Sequence, residues 1–523
     1  MTSELAQQPT QKRASIFKSE GFWLALIFGV GASLRLYGLE FQSLWHDEGL
    51  QYYVATKNSV GELIGQSRSF HPPLSFIINH LFLLLGQSDF FLRLPSALFG
   101  IASLPVLYVL ARDLTSKQVA VFAVFVLALS PFHLWYSQEG RMYSQLMFLS
   151  LLSSVLLLEA LRRSKLSWWS YYVLVSAAGM YTHVFMGLTL AAQFLWVALY
   201  YRRHLLPITA SGFAVALLFL PWALLLPWVT GFARNVSADG LTMGLASVGR
   251  ARFSWPVVPY TLFVYAAGFS LGPSVAELHA DKSLWFILTF LPSITLVITV
   301  FLVLLGIGIV AIKKRFGVGS AAFCLLGLFV PLVGTALYSL TPHAGFNVRY
   351  TVTAFPYFCL LVGTAMASLA RANKTFGALA VIALIGISAA SLYNHFTNPR
   401  YAKEDIRSAV AFWHQVDATG PLLAIGSTYP AYRYAGASEE KRVFLVGGKD
   451  IVSSIEQVLL AENASSAYVV VARDWDKTRE TAIRNTLGGT VERSFPGVKV
   501  FRISRPRTLE FSDASPKPAE SRY

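Results

Sequence analysis

Acidic charge is scarce in this 523-residue sequence: it has 28 Asp and Glu against 43 Lys and Arg, and only 14% of its residues are charged. Of the 28 carboxylates, 15 lie beyond residue 395, so the first 395 positions carry very few. Cysteine is nearly absent as well. Cys324 and Cys359 both fall in apolar runs, which suits two small core side chains and leaves no disulfide framework. The chain also lacks a nucleotide-type phosphate-binding glycine loop, a G-x-S-x-G elbow and a helical H-E-x-x-H. Those absences remove the commonest routes to nucleotide hydrolysis, serine esterase chemistry and zinc proteolysis. No convincing internal repeat is present.

What the chain does have is apolar length. With 54% hydrophobic residues and a mean hydropathy of +0.52, an ordinary soluble enzyme is excluded and a polytopic α-helical membrane protein is expected. Runs able to span about 30 Å of hydrocarbon lie near 22–39, 90–111, 118–136, 144–161, 168–182, 184–201, 205–227, 284–312, 319–338, 351–370 and 375–395. That gives about 11 spans. The first run lacks a small-residue cleavage site and is read as retained.

The net charge of +15 does not indicate nucleic acid, because the basic residues fall in short clusters between apolar runs, such as Arg162-Arg163, Arg202-Arg203 and Lys313-Lys314-Arg315. Under the positive-inside rule these clusters mark one face as cytoplasmic, together with the N-terminal tail, 1–21. The apolar segments 72–86 and 255–271 then stay on the outer side, the first as a surface helix opened by Pro72-Pro73. The expected organisation is a transmembrane domain over 22–395 with outer loops 40–89 and 228–283. An extracytoplasmic α/β domain over 396–508 follows, with strands at 422–427, 442–447, 467–473 and 498–504, and then a disordered tail, 509–523.

Once sidedness is assigned, the rare polar groups gather on the outer face. The loop after the first span carries Trp45-His46-Asp47-Glu48-Gly49 and, further on, His71; the next outer turn is Ser137-Gln138-Glu139-Gly140-Arg141. Tyr181, His183, His343, Asn347, Arg349 and Tyr350 stand at later outer ends. Each has a plain structural alternative. Asp47 suits the N-cap of a helix running 48–58, Glu139 and Arg141 suit a self-satisfied surface pair, and Arg349 suits a head-group anchor. The histidines suit ordinary structural roles.

The functional alternative is chemical. An outer-face enzyme has no nucleotide-sugar pool, so a sugar carried on a membrane lipid phosphate is the natural donor. Displacing it needs a carboxylate to take the acceptor proton and cations to hold the leaving phosphate. Asp47 fits the base, with Glu48 as its orienting partner. Arg141 and Arg349 fit the phosphate.

The ordered set LWHDEG, FHPPL, LRLPSALFG, SPFHLWYSQEGRMYSQL, YTH and NVRYTVTAFPY resembles the bacterial GT-C glycosyltransferases related to protein O-mannosyltransferases, aminoarabinose transferases and galacturonosyltransferases. The resemblance covers roughly residues 20–370. It implies a GT-C-like membrane transferase that uses a polyprenyl-phosphate-linked sugar with inversion and passes it to an extracytoplasmic protein, lipid or glycan. It implies location in the bacterial inner membrane among membrane lipids.

Residue by residue, Asp47 matches the acceptor-engaging acid and Glu48 its partner. Glu139 and Arg141 match the polar turn, and Arg349-Tyr350 the late motif near the donor phosphate. His71 stands where aminoarabinose transferases have a metal-binding glutamate, and His183 joins the substrate-binding set. A divalent metal is the one cofactor left open, with His46, His71 and Glu139 as donors. A lipid-linked sugar flippase and a membrane anchor for a binding module remain the alternatives.

Overall fold

The computed structural model describes residues 10–225 except 69, 257–281, 283–340, 345–416, 420–426, 428–436, 442–446 and 451–504. His343 and the tail 509–523 lie outside these. The chain opens with α1 (Thr10–Leu36), then α2 (His46–Ala55), α3 (Val60–Ser67) and α4 (Leu74–Leu83). Next come α5 (Asp89–Leu114), α6 (Lys117–Leu129), α7 (Pro131–Ser137), α8 (Tyr143–Arg163), α9 (Leu166–Thr182), α10 (Met186–Tyr200) and α11 (Leu205–Ala223). After residue 256 follow α12 (Val257–Ala267), α13 (Val275–Ala280), α14 (Leu284–Leu288) and α15 (Leu291–Tyr338). A 3-10 turn, Val348–Ala354, then leads into α16 (Phe355–Ala372) and α17 (Lys374–Thr397).

Among the described residues six helices are long and apolar enough to cross a membrane, or seven if the bent pair α6–α7 is one span. A helix lies on each of the eleven apolar runs, though α9 and α10 are short and α15 covers two runs at once. Within α15 the break is at Gly317, whose φ of 89° is the left-handed region that favours glycine. Burial sorts the bundle. Every residue from Phe355 to Ala367 of α16 is buried, which makes it the central helix, whereas α11 and α17 present Leu206, Phe213, Leu379 and Ile382 outward. Apolar side chains that face outward along whole helices suit lipid, where only closed backbone hydrogen bonding is tolerated.

The run 118–136 was expected as one span but is broken. Pro131 cannot continue the ladder of α6, so α6 and α7 meet at 61° and Ser130 caps the new helix through His133 N at 3.1 Å. The break takes the carbonyls of Leu127 and Ala128 out of the regular α-helical ladder, Leu127 O keeping only a long bond from Ser130 N at 3.3 Å. Arg35 of α1, fully buried, satisfies both at 2.9 and 3.1 Å and also meets His133 Nδ1 at 2.6 Å. The break turns α7 sideways and delivers the 138–141 turn over α2.

Beyond α17 lie α18 (Ile406–Val416), β1 (Leu422–Ile425), α19 (Thr428–Ala435), β2 (Val443–Leu445), α20 (Ile451–Ala461), β3 (Ser466–Ala472), α21 (Thr478–Leu487), β4 (Thr490–Phe495) and β5 (Val498–Ser504). The sheet order is β2-β1-β3-β5-β4, with β1 parallel to β2 and β3 and the pairs β3–β5 and β5–β4 antiparallel. Register sets Leu423 opposite Val469 and Val470 opposite Val500. Alternation sends Leu422, Val470 and Val500 to one face with Trp413 of α18. Leu423, Val469 and Phe501 go to the other, with Ile455 and Ile483 of α20 and α21. A four-strand reading missed β4, whose sequence TVERSF carries two charges and has no buried residue, as an edge strand tolerates.

This α/β unit is docked on α2. A Cβ on Gly49 would come within 2.4 Å of the Pro430 ring, so only glycine allows α19 this close. Tyr434 Oη accepts from Leu44 N and donates to Asp89 Oδ2, both at 2.7 Å, and Arg407 reaches the same carboxylate at 2.6 Å.

Candidate active site

The LWHDEG segment folds as the first turn of α2. The helix starts at His46, after Trp45 in extended geometry, so the structural alternative of Asp47 as N-cap does not hold, and Asp47 is the second residue of the helix. Both carboxylates therefore lie in the first turn, where the helix dipole favours negative charge, and their side chains leave in different directions.

Glu48 turns inward. It is fully buried and accepts from Arg93 Nε at 2.7 Å and Nη2 at 2.8 Å, from the Gly140 amide at 2.8 Å and from Lys403 Nζ at 3.1 Å. Arg93 spends its remaining donors on the carbonyls of Leu39, Gln42 and Ser43. Burial raises the Glu48 pKa, but Arg93 and Lys403, with the hydrogen bonds from Arg93 and Gly140, outweigh it and bring it to about 2. Glu48 is thus a permanent anion that ties α2, α5, the 138–141 turn and the start of the α/β unit together. Neither Arg93 nor Lys403 was picked out from sequence. Arg93 lies in the LRLPSALFG motif, and a lone arginine amid that apolar run was the available signal.

Asp47 turns the other way, into a cavity of about 1080 Å³. Its Oδ2 accepts from Arg349 Nη1 at 2.6 Å. Burial acts to raise its pKa, but Arg349 first, then Arg141 and Arg473, hold the carboxyl well below the usual carboxylate range. Arg349 also lies 5.5 to 5.7 Å from the ring centres of Tyr143, Tyr350 and Trp45, which fix its plane.

Arg141 has a different place from the one expected. It is 3% exposed, is absent from the cavity lining, and donates to the Asp47 carbonyl at 3.3 Å and Gln51 Oε1 at 3.0 Å. Gln51 in turn donates to Asn79 on α4. Arg141 steadies the backbone beneath Asp47 through Nη1, while its Nε is buried without a hydrogen-bond partner among the described residues.

His46, His71, Glu139, His183 and Tyr350 all line the same cavity. The surface-pair alternative for Glu139 and Arg141 is overturned, since both are buried. Glu139 Oε1 is buried without a hydrogen-bond partner among the described residues. Its pKa rises from the ordinary 4.5 to about 7, chiefly through burial, with Glu48 and Asp47 adding to the rise and Lys403 opposing it. The His71 and His183 rings lie 5.3 Å apart, and burial and Arg141 depress both, His183 to about 3 and His71 well below its ordinary value. His46 falls to about 4, again chiefly by burial. These imidazoles are neutral at physiological pH.

The expected metal donors do not assemble: among the described residues no three His, Cys, Asp or Glu come together to hold an ion. His46 instead packs against Tyr429, its ring centre 5.5 Å away. With this donor arrangement a resident metal does not fit, and no step is assigned to one.

The raised pKa of Glu139 has a measurable cost. Between pH 4.5 and 7 the folded chain binds more protons at this carboxyl than the unfolded chain, so stability falls as pH rises through that window. Glu139→Gln is therefore expected to be more stable than wild type by roughly 3 kcal/mol at pH 8 and no different from wild type at pH 4. Thermal unfolding of the solubilised protein at the two pH values checks this; the same difference at both would show an ordinary carboxyl.

The fold and the cavity define the class: the chain is similar to the GT-C glycosyltransferases, multi-span membrane proteins. More particularly, residues 70–228 match the family model described as dolichyl-phosphate-mannose-protein mannosyltransferase. Two putative mannosyltransferases of Bacillus subtilis (strain 168) are similar in part: YkcB is 27% identical over 191 residues and YycA 29% over 164. These stretches cover 33% and 28% of this chain and only 25% and 22% of the relatives, so the match spans about a quarter of their length.

Among solved structures, apo ArnT from Cupriavidus metallidurans aligns with a TM-score of 0.58 at 13% identity over 95% of this chain and 100% of its own. ArnT bound to undecaprenyl phosphate gives 0.53 at 14% identity, over 95% and 99%. The archaeal oligosaccharyltransferase AglB from Archaeoglobus fulgidus, in complex with an inhibitory peptide and a dolichol-phosphate, gives 0.55 at 12% identity over 94% and 74%. At such identities the likeness is one of fold.

Proposed function

We propose that the chain is a membrane-embedded inverting glycosyltransferase that moves a sugar from a polyprenyl-phosphate donor to an extracytoplasmic acceptor. The observation that carries this reading is the Asp47–Arg349 pair, 2.6 Å apart at the polar part of a cavity. Aromatic side chains, among them Trp135, Tyr136, Phe185 and Tyr338, line part of it. An aromatic wall beside the Asp47–Arg349 pair suits a lipid tail ending in phosphate. That ArnT has been solved with undecaprenyl phosphate and AglB with a dolichol-phosphate supports it.

In the reaction, Asp47 takes the proton of an acceptor hydroxyl as that oxygen attacks the anomeric carbon. The bond from that carbon to the phosphate oxygen breaks, and the electron pair leaves with the polyprenyl phosphate, held by Arg349. Tyr350, His71 and His183 border the sugar, Glu139 lines the same wall, and Glu48 and Arg141 hold α2 in place. The topology that goes with this reading has the N-terminus in the cytoplasm and the cavity and the α/β unit on the outer face of a bacterial inner membrane.

The reading is tested by incubating membranes that contain the chain with radiolabelled polyprenyl-phosphate mannose and related lipid-linked sugars. Label should pass to envelope material. No transfer from any such donor sinks the proposal. Arg349→Gln should raise the donor KM about 10- to 100-fold, the worth of one hydrogen bond between charged groups; an unchanged KM would place the phosphate elsewhere.

A further inference from the structure

The α/β unit contributes more than a lid to the cavity. Arg473, directly after β3, adopts a left-handed backbone with φ 58°, a conformation that costs a non-glycine residue energy and persists where surrounding structure imposes it. The consequence is directional: its side chain, 13% exposed, lines the cavity and lies 5.5 Å from the ring centre of Trp45 and 5.7 Å from that of Trp475. Trp475 is itself held by a parallel stack on His279, 4.0 Å away.

Several cations of the cavity have donors committed to carboxylates, and Arg473 keeps part of its fork open beside Trp45. Arg349 is hydrogen-bonded to Asp47, Lys403 to Glu48, Arg400 doubly to Glu277 and Lys499 to Glu480. Arg473 is ion-paired on one edge, with Glu404 Oε1 3.2 Å from its Nε, and among the described residues neither of its Nη nitrogens has a hydrogen bond. The indole Nε1 of Trp45 is likewise buried and unpartnered. A planar fork paired on its Nε edge and with its Nη donors unspent, on the wall of a cavity, suits a carboxylate or phosphate. Arg473, Asp47 and His46 line the same cavity.

We infer that Arg473, with Trp45, forms an acceptor subsite, and that the acceptor carries an oxyanion, carboxylate or phosphate, near the hydroxyl that receives the sugar. Trp45 lies against both Arg349 and Arg473. The first cation comes from the bundle and serves the donor phosphate; the second comes from the sheet and serves the acceptor. The inference rests on the transferase reading, and its test is a binding measurement that does not depend on turnover.

The full chain in lipid nanodiscs is titrated with octyl β-glucuronide, octyl β-glucoside and octyl phosphate, followed by tryptophan fluorescence, and separately with polyprenyl phosphate. Wild type should bind the glucuronide about tenfold more tightly than the glucoside. Arg473→Gln should abolish that preference and Arg473→Lys should keep part of it, while both retain polyprenyl phosphate binding within about twofold of wild type. Tight octyl phosphate binding lost in Arg473→Gln would make the oxyanion a phosphate, and weak binding would make it a carboxylate on a sugar. Equal binding of glucuronide and glucoside by wild type overturns the inference. So does a preference that survives Arg473→Gln, or polyprenyl phosphate binding that falls in both variants, which would assign Arg473 to the donor. If anion preference follows Arg473 while no lipid-linked sugar is ever transferred, the transferase reading fails and the subsite stands.

Discussion

Asp47→Asn is expected to reduce sugar transfer about 10²- to 10⁴-fold while tightening, not weakening, the binding of polyprenyl phosphate. The substitution keeps the side chain's shape and removes its charge and basicity. In the resting protein Asp47 Oδ2 occupies Arg349 Nη1 at 2.6 Å, so a donor phosphate must compete with an internal carboxylate. Taking that competitor away should improve phosphate affinity by about tenfold, within the range of one charged hydrogen bond.

The same competition answers a difficulty in the mechanism. A carboxyl held far below its ordinary range is a poor base, and Arg349 is the leading opposite charge that holds it there. When phosphate shares Arg349, the hold on Asp47 weakens and its basicity rises just as donor arrives. Transfer kinetics and equilibrium binding of polyprenyl phosphate on the same variant check both halves. Transfer at the wild-type rate removes Asp47 from the chemistry, and weaker phosphate binding removes the competition.

Glu48→Ala is expected to act on the fold instead. It leaves the Arg93 guanidinium and Lys403 ammonium, 2% and 8% exposed, around a hole where their shared anion was. Breaking a buried pair by removing one partner costs about 3–5 kcal/mol, against a total stability of about 5–15 kcal/mol for a typical domain. Loss of the Gly140 amide's acceptor adds to it. The variant should melt far below wild type in detergent, and Glu48→Gln should recover only the part due to shape and the Gly140 contact. A melting temperature near wild type would mean that Glu48 is not the tie between α2, α5 and the α/β unit.

The two adjacent carboxylates therefore make opposite predictions, chemistry without much loss of stability for one and stability first for the other. Sequence suggested unequal roles for them from chemistry, but not which way each points. The first turn of a helix separates consecutive side chains by about 100°, and whether 47 or 48 faces the cavity depends on where α2 begins and what packs on it. Arg141 shows the same limit. As a residue type in the right turn it suited phosphate, and only its neighbours, the Asp47 carbonyl and Gln51, show that its Nη1 is committed within the protein.

Other features were legible because their cause is local. Pro72-Pro73 opens α4 at Leu74, the alternating runs at 467–473 and 498–504 pair as β3 and β5, and the helices follow the apolar runs. Ser130-Pro131 was a readable break within 118–136 that hydropathy alone smoothed over. β4 was hidden because an edge strand is held by its partner β5 more than by an apolar face of its own.

Sequence by itself determined that this is a membrane protein with rare charges gathered in a few motifs. That follows because apolar length and the scarcity of carboxylates are properties of composition and order, which bilayer physics reads directly. Tertiary structure alone decided that Asp47 meets Arg349 across 302 positions, that Glu48 is shared by Arg93 and Lys403, and that Arg473 of the sheet faces the same cavity. Contacts between residues so distant along the chain depend on how helices and sheet pack, and no local pattern carries that information.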